Sequence, residues 1–312
     1  MEVHLNTKGL PRYNRCVVTI GTFDGVHLGH RTIINAVVEE AALVQGQSVL
    51  VTFDPHPRKV VRPMEPLGLI NTLQEKTDLL QQTRLDALVV VPFTAAFSEQ
   101  PAEDYIKKFL VDVFHPHTIV IGYDHHFGRG RTGNIKLLQQ HAARYNYKVV
   151  EIPKHVVDEV DISSTQIRKA ILGGAIAQAN KLLGYAFHFS GLVVRGDEIG
   201  RKLGYPTANI ELTNQDKIHL GDGVFTATVR VDTQTFRGML SIGKRPTLND
   251  REERIEVHLL GFNGDLYGKA LQVTVHHRIR AQEKFDSLDA LKNQMEKDKL
   301  RTEELLFNWP TF

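Results

Sequence analysis

Two imidazoles three positions apart, His27 and His30, sit in the run GTFDGVHLGH (21–30), with Gly21, Gly25 and Gly29 around them. Few groups of this kind do chemistry without help, and the help expected here is backbone. An apolar run, CVVTI (16–20), precedes the glycines, and a helical pattern follows. A strand, a glycine-rich turn and a helix start make an anion site, because free backbone N–H groups and the positive helix end point the same way. Glycines let a phosphate come close to the backbone. On a helix start, positions i and i+3 share one face. An imidazole donates a hydrogen bond whether neutral or charged. Two of them aimed at one phosphate would stabilise the charge that develops during displacement at phosphorus, with no covalent intermediate. A surface histidine pair or a metal pair stays open on these residues alone. The zincin pattern differs, since it spaces its histidines i and i+4 with a Glu beside the first.

Five further segments carry candidate groups. ISSTQIR (162–168) offers Ser163, Ser164 and Thr165 at a helix start and Arg168 one turn inside, which alone reads as an N-cap with a surface arginine. FDPHP (53–57) and GYDHHFGRGRTG (122–133) lie at predicted strand ends, and His56, His125 and His126 are ordinary loop residues on their own. RGDEIGRKLGYPTANI (195–210) spaces Gly196, Gly200 and Gly204 by four beside Arg195, Arg201 and Lys202. That flexible basic loop could wrap phosphates, although it is neither a Walker A loop nor a Rossmann fingerprint. Thr207 and Asn209 follow at i and i+2, on one side of an extended chain. A hydroxyl and an amide carbonyl are hard oxygen donors suited to a Mg²⁺ ion that also holds phosphates; the bare alternative is a strand entered through a proline turn. Glu256, in RIEVHLL, reads by itself as an outward strand residue pairing with Arg254 or His258.

The elements that must position these groups change style along the chain. CVVTI, SVLVTF (48–53), ALVVVPF (87–93), TIVIGY (118–123) and YKVVEIP (147–153) read as strands. Between them lie helical patterns: RTIINAVVEEAALVQG, AEDYIKKFLVDVF and NIKLLQQHAARY. Short Val/Ile-rich runs separated by amphipathic helices predict crossover units and a parallel sheet, whose ligands bind beyond the carboxyl ends of the strands. After about residue 184, SGLVVRG, GVFTATVRV, FRGMLSIG, RIEVHLL and ALQVTVHHRIR are strand-like and separated by turns, with no intervening helix. They predict an antiparallel barrel or sandwich. A closing helix is expected in SLDALKNQMEKDKLRTEELL, with its apolar face at Leu288, Leu291, Met295 and Leu300.

A length of 312 residues suits two domains, placed at 1–184 and 185–312, and 42% hydrophobic with 24% charged residues is ordinary globular composition. The net charge of +2 gives no footprint for nucleic acid or an anionic membrane. The one cysteine, Cys16, fits a reducing compartment. The N-terminus lacks a signal-peptide core, and no apolar stretch approaches the ~20 residues of a membrane span. A cytoplasmic protein is expected.

HxGH resembles the signature of the nucleotidylyltransferase superfamily, and GTFDGVHLGH is similar to its FMN adenylyltransferase branch. GRKLGYPTAN, SIGKRPT (241–247) and IEVHLLGFNGDLYGK (255–269) resemble riboflavin kinases. Together they resemble the bacterial bifunctional riboflavin kinase/FAD synthetase family over nearly the whole chain. The resemblance implies a Rossmann-like α/β first domain with a parallel sheet, and a mainly antiparallel β-barrel second domain with a closing helix. It implies that riboflavin is phosphorylated to FMN in the second domain and that AMP passes from ATP to FMN in the first, with Mg²⁺ at both sites and flavin as substrate and product. In these terms His27 and His30 are catalytic. Gly21, Phe23, Asp24, Gly25, Gly29, Ser163, Ser164, Thr165 and Arg168 would contact ATP phosphates. Pro55, His56, Pro57, Asp124 and Phe127 would contact flavin. In the second domain, Gly196, Gly200, Arg201, Lys202 and Gly204 would contact phosphates, Thr207 and Asn209 would hold metal, and Glu256 would be the base. Partners would be riboflavin, FMN and ATP. A transferase for another phosphorylated acceptor, a flavin carrier and an oligonucleotide-binding barrel are the rival readings; the near-neutral charge weighs against the last.

Overall fold

The computed structural model describes residues 1–153, 162–196, 199–244 and 253–307. Parts of RGDEIG and SIGKRPT fall outside these residues, as does the side chain of Lys202. Chain contacts divide the protein into two compact units, Met1–Ser164 and Thr165–Phe312.

The first unit is built on a six-stranded parallel sheet in the order β1-β4-β3-β2-β5-β6. Its strands are β1 (Glu2–His4), β2 (Val17–Ile20), β3 (Ser48–Asp54), β4 (Ala87–Pro92), β5 (Thr118–Gly122) and β6 (Lys148–Ile152). The central strands read as unbroken apolar runs because both faces are covered. Val17, Val18, Val49, Leu50, Val51, Leu88, Val89, Ile119 and Val120 are all fully buried, each contributing about 1.5–3 kcal/mol of burial when the side chain is Val, Leu or Ile. β1 escapes the sequence pattern: it is three residues long and partly charged, and pairs with β4 by backbone alone. From β2 the chain steps outward through β3 and β4, then returns to the other side of β2 as β5. The loops after β2 and β5 therefore flank a topological switch point, where open α/β sheets bind ligands.

AEDYIKKFLVDVF is not one regular α-helix. Tyr105–Val111 is wound as a π-helix between short α-helical turns. The wider turn puts Tyr105, Ile106, Phe109 and Leu110 into the core together.

The second unit contains a closed barrel, β10-β11-β8-β7-β12-β9, antiparallel throughout, which decides between barrel and sandwich. The strands are β7 (His188–Val194), β8 (Ala208–Leu212), β9 (Gly223–Val231), β10 (Gln234–Lys244), β11 (Glu253–Leu259) and β12 (Ala270–Arg280). Phe225, Ala227, Val229, Leu240, Val257, Val273 and Val275 fill its core. Two expectations need correction. A short helix, Ile199–Lys202, does intervene between β7 and β8. The closing helix, Leu288–Leu305, packs by only part of the expected stripe: Leu291 and Met295 are partly buried, Leu288 and Leu300 are exposed, and Asp298 and Thr302 are buried. Asp298 is inside because Arg280 of β12 grips its carboxylate through Nε and a second nitrogen, at 2.8–3.1 Å. Gln294 adds a further bond at 2.9 Å.

Candidate active sites

β2 ends at Ile20, and the next seven residues are forced through an unusual path. Phe23 (φ 46°), Gly25 (φ 94°) and Val26 (φ 36°) are all left-handed, and two of the three are not glycine. Such a conformation is a strained one for a bulky or β-branched residue and persists only when its surroundings impose it. One such constraint is Asp24, 1% exposed. Its carboxylate accepts hydrogen bonds from the Ile70 and Asn71 amides at 3.2 and 3.1 Å, and its carbonyl accepts from Ser164 Oγ at 3.0 Å. Asp24 thus ties the loop down, with its negative charge engaged by backbone amides.

The loop delivers His27 to the N-cap of the Leu28–Leu43 helix. His27 Nδ1 accepts the His30 amide at 3.3 Å, so in the neutral ring the proton sits on Nε2, a donor for an anion. The two imidazoles stack, centroids 3.6 Å apart and planes 19° apart. Imidazole ligates metal in its own ring plane at about 2.0–2.1 Å. Near-parallel planes this far apart do not share such a point, so the arrangement is not that of a metal pair. Phe23 meets His30 edge-on at 5.1 Å, and Gly29 is buried in the first turn, which carries no acidic residue.

The neighbouring loops hold the other candidates. Pro55, His56 and Pro57 follow β3, with His56 Nδ1 accepting the Arg58 amide at 3.1 Å and Pro57 opening a short helix. Asp124 is exposed in the loop after β5. Phe127 is buried instead, stacked on Tyr105 at 4.9 Å. Burial pushes the His125 pKa down to about 4, aided by His126 and Arg131, so this loop carries a neutral imidazole at pH 7. Ser163 and Ser164 close the first unit, while Thr165 and Arg168 continue the Ser164–Leu172 helix into the second.

In the barrel, pairing brings Asn209 of β8 directly opposite Glu256 of β11. Thr207 Oγ1 donates to Glu256 Oε2 at 3.4 Å. Three groups from two motifs therefore meet on one face. Gly196 is the cradle: a Cβ there would fall 2.1 Å from the Asn209 amide. Gly200 lies against the Tyr205 carbonyl and the Thr207 side chain. Gly204, with φ 83°, turns the chain towards Pro206. Arg201 is exposed.

Sequence reasoning missed the supports of this cluster. His258, two residues beyond Glu256 and so on the same face of β11, bonds through Nδ1 to the Pro206 carbonyl at 2.7 Å. The alternation in IEVHLL was the available signal. Tyr205 packs edge-on against His258 and donates its hydroxyl to Glu296 on the closing helix, which pushes its pKa up to about 12. No sequence pattern pairs residues that far apart. Leu203, Tyr205, His258, Lys292 and Lys299 line an open cavity of about 540 Å³, within the range of small-molecule sites.

A parallel α/β unit with a histidine pair at its switch point, joined in one chain to a closed barrel bearing an acid–amide–hydroxyl cluster, defines a two-module class of phosphate-handling protein. The family model for FAD synthetase matches residues 11–166, and that for riboflavin kinase matches 183–306. A bifunctional riboflavin kinase/FMN adenylyltransferase of Haemophilus influenzae is 35% identical over 306 residues, 96% of this chain and 98% of that one. Its counterpart in Buchnera aphidicola subsp. Schizaphis graminum is 37% identical, covering 90% and 91%. A crystal structure from Streptococcus pneumoniae, described as a macrolide-efflux protein, superposes with TM-score 0.87 at 31% identity and covers 99% of both chains. The chain belongs to the bifunctional riboflavin kinase/FMN adenylyltransferase family. Among the described residues no helix is long and apolar enough to cross a membrane.

Proposed function

We propose that this chain phosphorylates riboflavin to FMN and then adenylylates FMN to FAD, both at the expense of ATP. Residues 185–312 carry the first reaction and residues 1–184 the second. The observation that carries the reading is convergence: residues picked from separate motifs meet as Thr207–Asn209–Glu256 in one unit, and His27 stacks on His30 in the other.

In the kinase step, Glu256 accepts the proton of the ribityl 5′-hydroxyl as that oxygen attacks the γ-phosphorus, and the bond to ADP breaks. Thr207 and Asn209 fit a hard cation: they present neutral oxygens, and Gly196 leaves room only for the Asn209 amide to lie against the backbone. Mg²⁺ held there would neutralise phosphate charge. The cavity beside Tyr205 and His258 is of a size for the flavin ring.

In the transfer step, an FMN phosphate oxygen attacks the α-phosphorus of ATP and pyrophosphate leaves. Nε2 of His27 and the His30 ring donate to the phosphoryl oxygens as charge grows, which is electrostatic stabilisation. Gly21, Gly25 and Gly29 let the phosphates approach, and the Ser163–Ser164 segment, tied to the same loop, contributes hydroxyls. The loops after β3 and β5, with Pro55, His56, Pro57 and Asp124 at hand and Phe127 packed beneath them, form the flavin side. Phe23 and Asp24 shape the loop that holds the phosphates. A cytoplasmic location suits an enzyme that consumes ATP.

Purified protein supplied with riboflavin, ATP and Mg²⁺ should form FMN and ADP first, then FAD and pyrophosphate, as followed by chromatography over time. Flavin binding without ATP turnover would overturn both assignments.

A further inference from the structure

Lys76 lies in LQEKTDLL, where it reads as one polar residue of an amphipathic helix. In the fold it is only 6% exposed. Its Nζ donates to the Thr22 carbonyl at 2.7 Å and to Thr52 Oγ1 at 3.3 Å. Thr52 Oγ1 in turn donates to the same Thr22 carbonyl at 3.0 Å. One carbonyl is thus held from two sides. Burial drives the lysine's pKa down, and the charges of Asp24 and Asp54 oppose that shift. A buried ammonium is a poor choice for packing alone, because taking its charge out of water costs several kcal/mol.

What it holds is the peptide that enters the left-handed Phe23. The Phe23 ring meets His30 edge-on, and His30 stacks on His27. We infer that Lys76 is a positioning residue for adenylyl transfer: it locks the Thr22–Phe23 peptide so that Phe23 keeps the His30 ring in register with His27. A methionine of similar length would fill the space and leave the Thr22 carbonyl held by Thr52 Oγ1 alone. The inference rests on the adenylyl-transfer reading of the histidine pair.

The test compares the full-length wild type with Lys76→Met, Lys76→Gln and Thr52→Val, each also combined with His30→Ala. FAD formation from supplied FMN and ATP is measured, with riboflavin phosphorylation as the internal control. Lys76→Met should lower kcat for FAD formation about 30- to 100-fold while KM for FMN changes less than about threefold. Lys76→Gln, which keeps a donor, should recover to within about tenfold of wild type. In the His30→Ala background Lys76→Met should cost less than about threefold, because residues acting as a unit are not additive. Thr52→Val should show the same pattern at about three- to tenfold. An unimpaired Lys76→Met would overturn the inference, as would an undiminished effect without His30. If Lys76→Met fails to fold, a silent Thr52→Val overturns it equally. Wild type that forms no FAD defeats the adenylyl-transfer reading itself, whereas active wild type with unimpaired Lys76→Met defeats only the role of Lys76.

Discussion

His27 has two jobs that substitution can separate. It caps a helix through Nδ1 and faces its stacked neighbour with the rest of the ring. His27→Ala should remove both, costing about 1 kcal/mol of stability in the first unit as well as FAD formation. His27→Asn, a good cap, should restore stability in denaturant titrations and remain inactive in adenylyl transfer. His30→Ala should lower FAD formation by about 10²–10³-fold, the usual scale for losing one transition-state donor, while FMN accumulates. Glu256→Gln should do the reverse: riboflavin is no longer phosphorylated, yet supplied FMN still becomes FAD. Product chromatography distinguishes these outcomes. The histidine pair stood out in the sequence by its spacing and its glycine-rich setting, whereas Thr207, Asn209 and Glu256 were singled out only through the family resemblance. Their supports were not legible as such. Lys76 went unnoticed, and Asp24 and His258 were named for other partners, because all three act through backbone carbonyls and amides, which have no letter in the sequence.

Among the elements, the central strands of the first sheet were readable from composition because they are buried on both faces. β1 was not, since its side chains add little to the sheet and its backbone does the pairing. The closing helix shows a different failure. Its core-facing position is an aspartate, and a hydrophobic pattern has no way to announce a carboxylate whose partner sits on β12. Asp298→Ala should therefore cost about 3–5 kcal/mol, since it strands the Arg280 guanidinium with little water. Replacing both, Arg280→Met with Asp298→Leu, should recover most of that loss in urea titrations. Gly196→Ala should cripple the kinase with little effect on FAD formation, because the added carbon meets the Asn209 amide.

Across the whole molecule, stability should fall on the acid side. His276 is 8% exposed and shares a 2.9 Å bond with Thr228. Burial, aided by His277, pushes its pKa from 6.5 to about 4. The unfolded chain therefore takes up the proton first. The contribution is intact above pH 6.5 and is lost as pH falls from there towards 4, amounting to roughly 1–2 kcal/mol by pH 5. His276→Gln should flatten the difference between urea midpoints of the barrel at pH 7 and pH 5.

Barrel closure also sets a timetable. Leu271 lies beside Gly191, 271 − 191 = 80 residues back along the chain, and the β12–β9 seam cannot form before β12 exists. On a ribosome, the sheet carrying the histidines has all six strands once Ile152 emerges. β8 must wait, with one edge open, for β11, and β7 until β12, ending at Arg280, has been made. The half that makes FAD is thus assembled early, and the half that makes its substrate is the one most exposed to mispairing during synthesis.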